Sequence, residues 1–412
     1  MPEASSRCAD AARNRGGRRM REPKSRQAVV VGGSIGGLTT ALLLRDLGWD
    51  VDVFERSTRD DARGGGIVLQ PDTIRWFTER STQALESLIT STHLVQYLGS
   101  GNHVAHREYA QWSYSSWATL HAALLRDFGA ERYWRGHRAV AVVQDASTAT
   151  VEFDNGGSAT GDLVVFADGV NSVGRQYVSP NTPVRYSGYI GWRGLVPERL
   201  LSSETSAVLE DSVTYALLPD SHIVMYPVPS PVNDGRAERL MNFVWYRNVP
   251  AGHRLDQFVG GASAGVLSLH PDRVPHIEVE RMRTDATRNL PPAAAEVVSR
   301  CDAPYVQVVS DIRAAQMVRG RVAILGDAAC AARPHAAAGT AKAAADAWNL
   351  AAAIEETGGG LDRALQVWEP VQLALSAQLE SRVQTMGERS QFDNSWRPED
   401  PGLRFGLYGP GI

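Results

Sequence analysis

The sequence predicts an α/β protein: a three-layer domain on a parallel sheet, an inserted and mostly antiparallel β-sheet, and a C-terminal helical segment. Two observations predict this fold class. Residues 28–55 read as strand, glycine-rich turn, helix and second strand, which is the order of a βαβ unit. Residues 183–250 then read as a series of strands separated by turn residues.

The βαβ unit begins with the apolar run at 28–31 and continues through the glycine-rich turn at 32–37. A helical pattern follows and ends at Gly48, and "VDVFE" at 51–55 predicts the second strand. The length of the whole unit fits a strand–helix–strand segment of a parallel sheet.

The inserted sheet is predicted from four apolar stretches: "YIGWRGLVP", "SVTYALL", "HIVMYPVP" and "LMNFVWYRNV". The turn-rich sequences "LPDS" and "SPVNDG" separate them. A helical region is predicted around 252–300, and "RVAILGDAA" returns to a buried strand and a turn. Long helices are predicted at 340–356 and 361–390.

Composition excludes several classes of protein. The formal net charge of −4 over 412 residues gives no electrostatic reason to expect a nucleic-acid partner. No apolar run predicts a membrane span. The three cysteines, Cys8, Cys301 and Cys330, are odd in number and widely spaced, so they predict no disulfide framework and no metal site. We therefore expect a cytoplasmic protein.

The first 26 residues differ from the rest of the chain. Residues 1–26 contain seven arginines and one lysine, which predicts a disordered basic tail. An Arg-Arg pair before an apolar run resembles a twin-arginine export signal, but that run is better explained as strand, turn and helix. Because the predicted fold begins near Gln27, Met1 and Met20 are both open as the start.

The glycine-rich turn matches a dinucleotide-binding fingerprint at its first and third glycines, Gly32 and Gly37. Ser34 replaces the second glycine, and its hydroxyl is able to donate to a phosphate. The helix that follows directs its N-terminal dipole at the same place. Glu55 ends the second strand, where an acidic residue accepts hydrogen bonds from ribose hydroxyls. The alternatives are a structural glycine turn and a solvated strand end.

Two further motifs follow buried strands. "GDLVVFADGVNSVGR" at 161–175 leads into Asp168-Gly169, and "VAILGDAACAARPHAAAGTAKAAADAWNLA" at 322–351 leads into Gly326-Asp327. A loop ending at Gly339 then opens an alanine-rich helix, whose first amides are positioned to face an electron-rich ring edge.

These three motifs, in this order and spacing, resemble those of the single-component flavin-dependent aromatic hydroxylases, the group of para-hydroxybenzoate and salicylate hydroxylases. The resemblance covers about residues 27–390. Within the family, "GGSIGGL", "RGGGIVLQP", "GYIGWRG", "RPHAAAGTAKAAADA" and "FGLYGPG" are similar to the branch that hydroxylates dihydroxypyridines.

The resemblance implies that the chain binds FAD. The implied cofactor-binding positions are the AMP-half residues Gly32, Gly33, Ser34, Ile35, Gly37, Glu55 and Arg56; the flavin-contacting loop residues Gly66 and Gln70; Asp168 and Gly169, linked to both FAD and NAD(P)H; Gly326 and Asp327 at the ribityl chain; and Pro334, Ala338 and Gly339 beside the isoalloxazine.

The chain departs from the family pattern at two places. Trp117 stands where the wider family has an arginine three residues before a leucine, in a helix expected at 114–125, so a flavin–phosphate contact is in doubt. The family's glycine-rich "PxGGxG" loop is alanine-rich at 334–339, and its usual asparagine is Ala341. The dihydroxypyridine branch shares the alanine pattern.

Candidate substrate residues come from the inserted sheet, where positions two apart share a face. This alternation groups His222 with Tyr226, and Tyr189 with Arg193; the remaining candidates are Tyr215 on the preceding strand and His335 beside the flavin loop. Ring hydroxylation needs a base, and histidine has a suitable pKa. Packed core residues and, for Arg193, a structural ion pair are the alternatives.

The resemblance implies a monooxygenase that hydroxylates an electron-rich hydroxypyridine or phenolic ring with O₂ and NADH or NADPH, through a flavin C4a-hydroperoxide. It also implies a homodimer. Pyridine catabolism and natural-product tailoring both remain open. A salicylate-type hydroxylase of a benzenoid phenol and a non-catalytic FAD-binding protein are the alternatives; a flavin-dependent halogenase is disfavoured because its W-x-W-x-I-P stretch is absent.

The predicted organisation divides the chain into five segments. They are the tail at 1–26, the first part of the FAD-binding domain at 27–182, the substrate domain at 183–300, the second part of the FAD-binding domain at 301–356, and the C-terminal helix and tail at 357–412.

Overall fold

The computed structural model describes residues 25–58, 64–230, 238–261 and 268–412. Almost all of the predicted basic tail lies outside these ranges. The described residues form three β-sheets and ten α-helices. The helices are Ile35–Asp46, Pro71–Glu79, Trp117–Phe128, Val173–Val178, Ser203–Leu209, His253–Val259, His276–Asn289, Pro292–Ser299, Gly339–Glu356 and Leu361–Gln391.

The first sheet has six strands and is parallel except for the pairing of its two C-terminal strands. In spatial order its strands are Val318–Arg319, Val322–Ile324, Leu163–Phe166, Gln27–Val31, Asp50–Glu55 and Tyr133–Arg135. The central strands are valine-rich and buried, as expected for a parallel sheet that is covered on both faces.

Helices and a small antiparallel sheet cover this parallel sheet. The helix Ile35–Asp46 packs against the helices Trp117–Phe128 and Gly339–Glu356. The third layer is a sheet of the strands Ala139–Gln144, Ala149–Phe153 and Ser158–Gly161. The side chain of Phe54 projects from the parallel sheet and stacks on Phe153, with ring centroids 4.7 Å apart. The three-layer α/β prediction is confirmed.

The large second sheet is antiparallel except for one parallel pair. In spatial order its strands are Ser268–Leu269, Tyr305–Arg313, Val184–Pro197, Arg239–Asn248, Ser221–Pro229, Ser212–Leu218, Thr90–Leu98, Val104–Ser116 and Gly66–Val68, while Cys330–Ala331 pairs with Tyr305–Arg313. Several of these strands lie outside residues 183–300, so the sheet is larger than the segment predicted for it. The domain boundaries themselves remain a prediction.

One helix begins later than the sequence predicts. The expected helix at 114–125 is the helix Trp117–Phe128, preceded by the long strand Val104–Ser116. Ser116 determines this start, because its hydroxyl accepts a hydrogen bond from the Thr119 N–H at 3.0 Å.

No helix among the described ranges has both the length and the apolar character needed to cross a membrane.

Candidate active site

A cavity of about 890 Å³ extends from the glycine-rich turn at the end of Gln27–Val31 to one face of the large sheet. Half of the predicted site residues line it: Ser34, Ile35, Arg56, Gly66, Gly169, Arg193, Tyr226, Gly326, Asp327, Pro334 and Gly339. The other half does not line it: Gly32, Gly33, Gly37, Glu55, Gln70, Asp168, Tyr189, Tyr215, His222, His335 and Ala338.

The glycine-rich turn has no room for side chains. A Cβ atom at Gly32, whose φ is +105°, would lie 2.3 Å from the carbonyl oxygen of Ala167. A Cβ atom at Gly37 would lie 1.9 Å from the carbonyl oxygen of Gly32. The turn therefore brings the helix Ile35–Asp46 against the neighbouring strand and leaves its N-terminus facing the cavity, as a pyrophosphate site requires.

Ser34, which replaces the second glycine of the fingerprint, contacts Trp117, which replaces the family's arginine. The indole N–H of Trp117 donates to the Ser34 hydroxyl at 3.2 Å, and both residues line the cavity. Trp117 supplies no positive charge, but Arg56 and Arg138 line the same cavity. The substitution of Ser34 for glycine thus provides an acceptor for the residue that replaces the family's arginine.

Glu55 braces the glycine-rich turn. Its carboxylate accepts one hydrogen bond from the Gly33 N–H and one from the Ser57 N–H, both at 2.8 Å. The side chain is partly buried and does not line the cavity. Its predicted contact with a ribose stays a prediction.

The second and third motifs are tied together by Arg175. Its guanidinium donates to the carbonyl oxygen of Val170 at 2.6 Å and to that of Ala328 at 3.0 Å. The Asp168 carboxylate accepts from the Val173 N–H at 2.7 Å, and burial raises the pKa of Asp168. Asp168 therefore shapes the loop that places Gly169 at the cavity wall.

A buried ion pair supports the Gly326-Asp327 turn. The Lys342 ammonium contacts the Asp346 carboxylate at 2.7 Å, and both side chains are almost fully buried. Asp346 also accepts from the Gly326 N–H at 2.9 Å. Asp327 opens onto the cavity; desolvation raises its pKa to about 6, against the opposing charges of Lys342 and Arg175. The turn presents a carboxylate where a ribityl chain is expected.

Gln70 holds the alanine-rich loop. Its side-chain amide donates to the carbonyl oxygen of Ala337 at 2.8 Å. Pro334, Ala337 and Gly339 line the cavity, whereas Ala338 is buried in the core. Gln70 thus acts on the flavin loop rather than at the cavity wall.

The candidate substrate residues project from one face of the large sheet, as their spacing predicts. Cross-strand pairing places Tyr246 opposite His222, and Tyr305 opposite Arg193. Tyr226, Tyr246, Tyr305 and Arg193 all line the cavity. Tyr246 and Tyr305 are not among the residues predicted from the sequence. The signal for Tyr246 is the alternation of "LMNFVWYRNV", which gives it the same face as Val244.

Arg193 places a positive charge at the substrate end of the cavity. Burial acts to lower the pKa of Arg193, but the neighbouring Tyr305, Tyr246 and Tyr226 together raise it, and no ion pair to Arg193 is found within the described part of the chain. Its Nε atom is buried and has no hydrogen-bond partner there. Burial raises the pKa of Tyr246 to about 12, so this tyrosine is a neutral hydrogen-bond donor. Such a group of donors suits an anionic oxygen.

The two candidate bases, His222 and His335, do not line the cavity themselves and lie behind Tyr246, which does. The rings of His222 and His335 pack against Tyr246 with centroids 4.6 and 4.8 Å away, and both side chains are buried. The Gln391 amide donates to Nδ1 of His222 at 3.0 Å, and the Tyr189 hydroxyl bonds to Nε2 of His335 at 2.7 Å. Burial lowers the pKa of His222 to about 3 and that of His335 well below its usual value. Both histidines are therefore neutral.

Tyr189 and Tyr215 belong to the packed core. Tyr189 is fully buried between His335 and the guanidinium of Arg333, which lies 5.8 Å from its ring. Tyr215 stacks on Tyr97 with ring centroids 5.1 Å apart. Neither side chain lines the cavity, so the packed alternative describes their surroundings best.

Replacing His222 with glutamine is expected to reduce the loss of stability in acid. The folded protein holds His222 neutral to about pH 3, whereas the unfolded chain protonates it near 6.5. The contribution of neutral His222 to the free energy of unfolding is therefore fully present above pH 6.5. It is lost progressively as the pH falls toward 3, because the unfolded chain then binds a proton that the folded protein does not. From pH 7.5 to 5.0 we expect the wild type to lose about 2 kcal/mol more unfolding free energy than His222→Gln.

Urea unfolding at the two pH values measures this difference. His276→Gln is the matched control, because the His276 side chain is 88% exposed and should leave the pH dependence unchanged. Parallel pH profiles for the wild type and His222→Gln would contradict a neutral, buried His222.

Comparison with known proteins identifies the family. Residues 186–311 match a family model described as FAD binding domain-like. The chain is 35% identical over 390 residues to 2,6-dihydroxypyridine 3-monooxygenase of Paenarthrobacter nicotinovorans, covering 93% of this chain and 96% of that one. It is 29% identical to 3-amino-4-hydroxybenzoate 2-monooxygenase of Streptomyces cremeus, covering 87% and 86%.

Solved structures of similar fold agree with the sequence comparison. The structure of 2,6-dihydroxypyridine-3-hydroxylase from Arthrobacter nicotinovorans superposes with a TM-score of 0.87 at 34% identity, over 93% of this chain and 98% of that one. Klebsiella pneumoniae HpxO, complexed with FAD and uric acid, shares the fold with a TM-score of 0.73 at 23% identity, over 90% of each chain. The chain belongs to the family of FAD-dependent aromatic monooxygenases.

Proposed function

We propose that this enzyme hydroxylates a small hydroxypyridine ring that it binds as an anion. The observation that carries the proposal is the arrangement of Arg193 with Tyr226, Tyr246 and Tyr305 at one end of the cavity. The similarity to a 2,6-dihydroxypyridine 3-monooxygenase over almost the whole chain supports the same substrate class.

The residues of the cavity fit FAD. The side-chain-free turn and the helix N-terminus at Ser34 would hold the pyrophosphate, Asp327 would contact the ribityl chain, and the loop from Pro334 to Gly339 would lie beside the ring system. When bound, FAD supplies the oxygen-transfer chemistry, with O₂ as oxidant and NADH or NADPH as the electron donor. The overall reaction yields the hydroxylated ring, water and NAD(P)⁺.

Arg193 prepares the ring for reaction. An arginine stays protonated, so its guanidinium stabilises the deprotonated form of a ring hydroxyl without accepting the proton itself. The electron density of that anion makes the carbon next to the oxygen nucleophilic. The tyrosine hydroxyls of Tyr226 and Tyr246 are available to donate to the same ring, and the valines Val224 and Val244 exclude water beside it.

His222 and His335 then have a supporting role. Both are neutral, hydrogen-bonded and packed against Tyr246, so they fix the position of the wall that meets the ring. In this proposal the general base inferred from the sequence is not required, because the ring hydroxyl loses its proton to water before binding and the charge of Arg193 then favours the bound anion.

A panel of hydroxypyridines and benzenoid phenols tests the proposal. With NADH and with NADPH, we expect ligand-stimulated oxidation of the reductant, matched by one added oxygen in the mass of a hydroxypyridine. A pyridine of the same size without a hydroxyl is the control. Coupled hydroxylation of benzenoid phenols alone would favour a salicylate-type enzyme, and a yellow protein that oxidises no reductant with any ligand would favour a non-catalytic role.

We also propose a cytoplasmic homodimer. The two described cysteines, Cys301 and Cys330, are buried free thiols, as expected of a chain that folds without disulfides in a reducing compartment. Analytical ultracentrifugation of the holoenzyme tests the dimer, and a monomer at micromolar concentration would contradict it.

A further inference from the structure

The C-terminal segment at 396–408 folds back over the sheet face that carries the substrate residues. The ring of Trp396 lies 5.1 Å from the ring of His222 and 6.3 Å from that of Tyr215. The ring of Phe405 lies 6.2 Å from that of Tyr215. The proposed function gives this segment no role, although "FGLYGPG" at 405–411, one of the stretches similar to the dihydroxypyridine branch, begins within it.

Phe405 is the residue of this segment that lines the cavity. Its side chain is almost completely buried, and its ring meets the edge of Trp112 at 5.3 Å. Its other neighbour, Tyr215, pairs across the sheet with Val224, which also lines the cavity. Phe405 therefore lies at the substrate end of the cavity and not at the pyrophosphate end.

Backbone contacts hold Phe405 in this position. The Gly406 N–H donates to the carbonyl oxygen of Ala336 at 3.0 Å. Arg382 donates to the carbonyl oxygen of Gly406 at 2.7 Å and also to that of Arg404. Arg404 in turn pairs with Glu108 at 2.7 Å. These bonds anchor the segment to the flavin loop on one side and to the large sheet on the other.

The placement of Phe405 has a simple physical consequence. Ala336 belongs to the loop whose neighbours Pro334 and Ala337 line the cavity where the flavin ring is expected. Phe405 is thus flanked by that loop and by the sheet, so it borders the space left for the substrate ring. A phenyl ring forms no hydrogen bond with a ligand. A closely packed phenyl ring also moves little to make room for a larger ligand.

We propose that Phe405 determines specificity by limiting the size of the ring that the cavity accepts. The residue restricts the site to a monocyclic hydroxypyridine and excludes bicyclic rings. This inference rests on the proposed function, because it concerns the substrate of the same site.

Substitution of Phe405 tests the inference through two substrates, a monocyclic hydroxypyridine and a bicyclic hydroxyquinoline. In Phe405→Ala we expect kcat/KM to fall about 10-fold for the monocyclic ring and to rise about 10-fold for the bicyclic ring, as is typical when a pocket contact is removed. Phe405→Leu should give a smaller change in the same direction. Phe392→Ala is the matched control, because Phe392 is 42% exposed and does not line the cavity.

The readouts separate the outcomes. An unchanged ratio of the two kcat/KM values in a folded, FAD-loaded Phe405→Ala enzyme overturns the inference; if alanine prevents folding, the ratio in Phe405→Leu decides. A wild-type enzyme that hydroxylates neither ring overturns the proposed function instead. In that case the dissociation constants of the two rings are measured by protein fluorescence in the wild type and in the Phe405 variants. If the ratio of the two dissociation constants is the same in all of them, the inference about Phe405 is overturned.

Discussion

Replacing Arg193 with methionine is expected to lower kcat/KM for a hydroxypyridine by about 100-fold or more. The guanidinium lies in the cavity wall among three tyrosines, and no carboxylate pairs with it within the described ranges. An anionic ring oxygen would lose the positive charge of this guanidinium, while methionine keeps a similar side-chain volume. Coupled hydroxylation and the dissociation constant of the ring measure the effect.

The control for this prediction lies on the neighbouring strand. Arg247 pairs with Asp285 at 3.1 Å and does not line the cavity, so Arg247→Met should leave kcat/KM and the affinity for the ring unchanged. Wild-type kcat/KM in Arg193→Met would show that the substrate does not bind as an anion at this residue.

Replacing Ser34 with leucine is expected to weaken FAD binding about 10- to 100-fold, so that the purified protein loses most of its flavin. Ser34 lines the cavity at the N-terminus of a helix, where the backbone must come close to a pyrophosphate. A larger side chain would fill that space. Flavin content by absorbance and the dissociation constant of FAD by fluorescence measure the effect independently of activity.

Ser34→Gly is the matched control, because it restores the family's glycine and removes the acceptor of the Trp117 indole without adding volume. We expect this variant to retain FAD. Stoichiometric, tightly bound FAD in Ser34→Leu would place the pyrophosphate somewhere other than beside Ser34.

The fold was largely predictable where its signals are local. The glycine-rich turn between two apolar runs defined the first βαβ unit, and "SVTYALL" coincides with the strand Ser212–Leu218. The helix Leu361–Gln391 follows its predicted range closely. In each case the neighbouring residues alone determine the element, through periodicity or through the absence of a side chain.

Strand pairing was harder to predict because it depends on residues far apart in the chain. The strands Thr90–Leu98 and Val104–Ser116 join the large sheet through a parallel pairing with Ser212–Leu218. The alternating burial of Val104–Ser116 was a usable signal, but nothing local indicates which sheet an alternating strand joins.

The sequence predicted which side chains share a face of the sheet better than it predicted which of them line the cavity. Alternation correctly placed His222 on the same face as Tyr226, but it gives no information about which residue reaches the cavity. That depends on Tyr246, which contacts His222 from the next strand and itself lines the cavity. Tyr305 was missed for the same reason, since only the pairing with Val184–Pro197 brings it to Arg193.

The interleaving of the two main sheets limits how this enzyme can be re-engineered. The large sheet draws its strands from as far apart in the chain as Gly66–Val68 and Cys330–Ala331, and strands of the parallel sheet lie between them in sequence. A continuous fragment that includes every described strand of the large sheet also includes strands of the parallel sheet. Chimeras that exchange specificity between relatives would need several crossover points, so point substitutions at the cavity wall are the practical route.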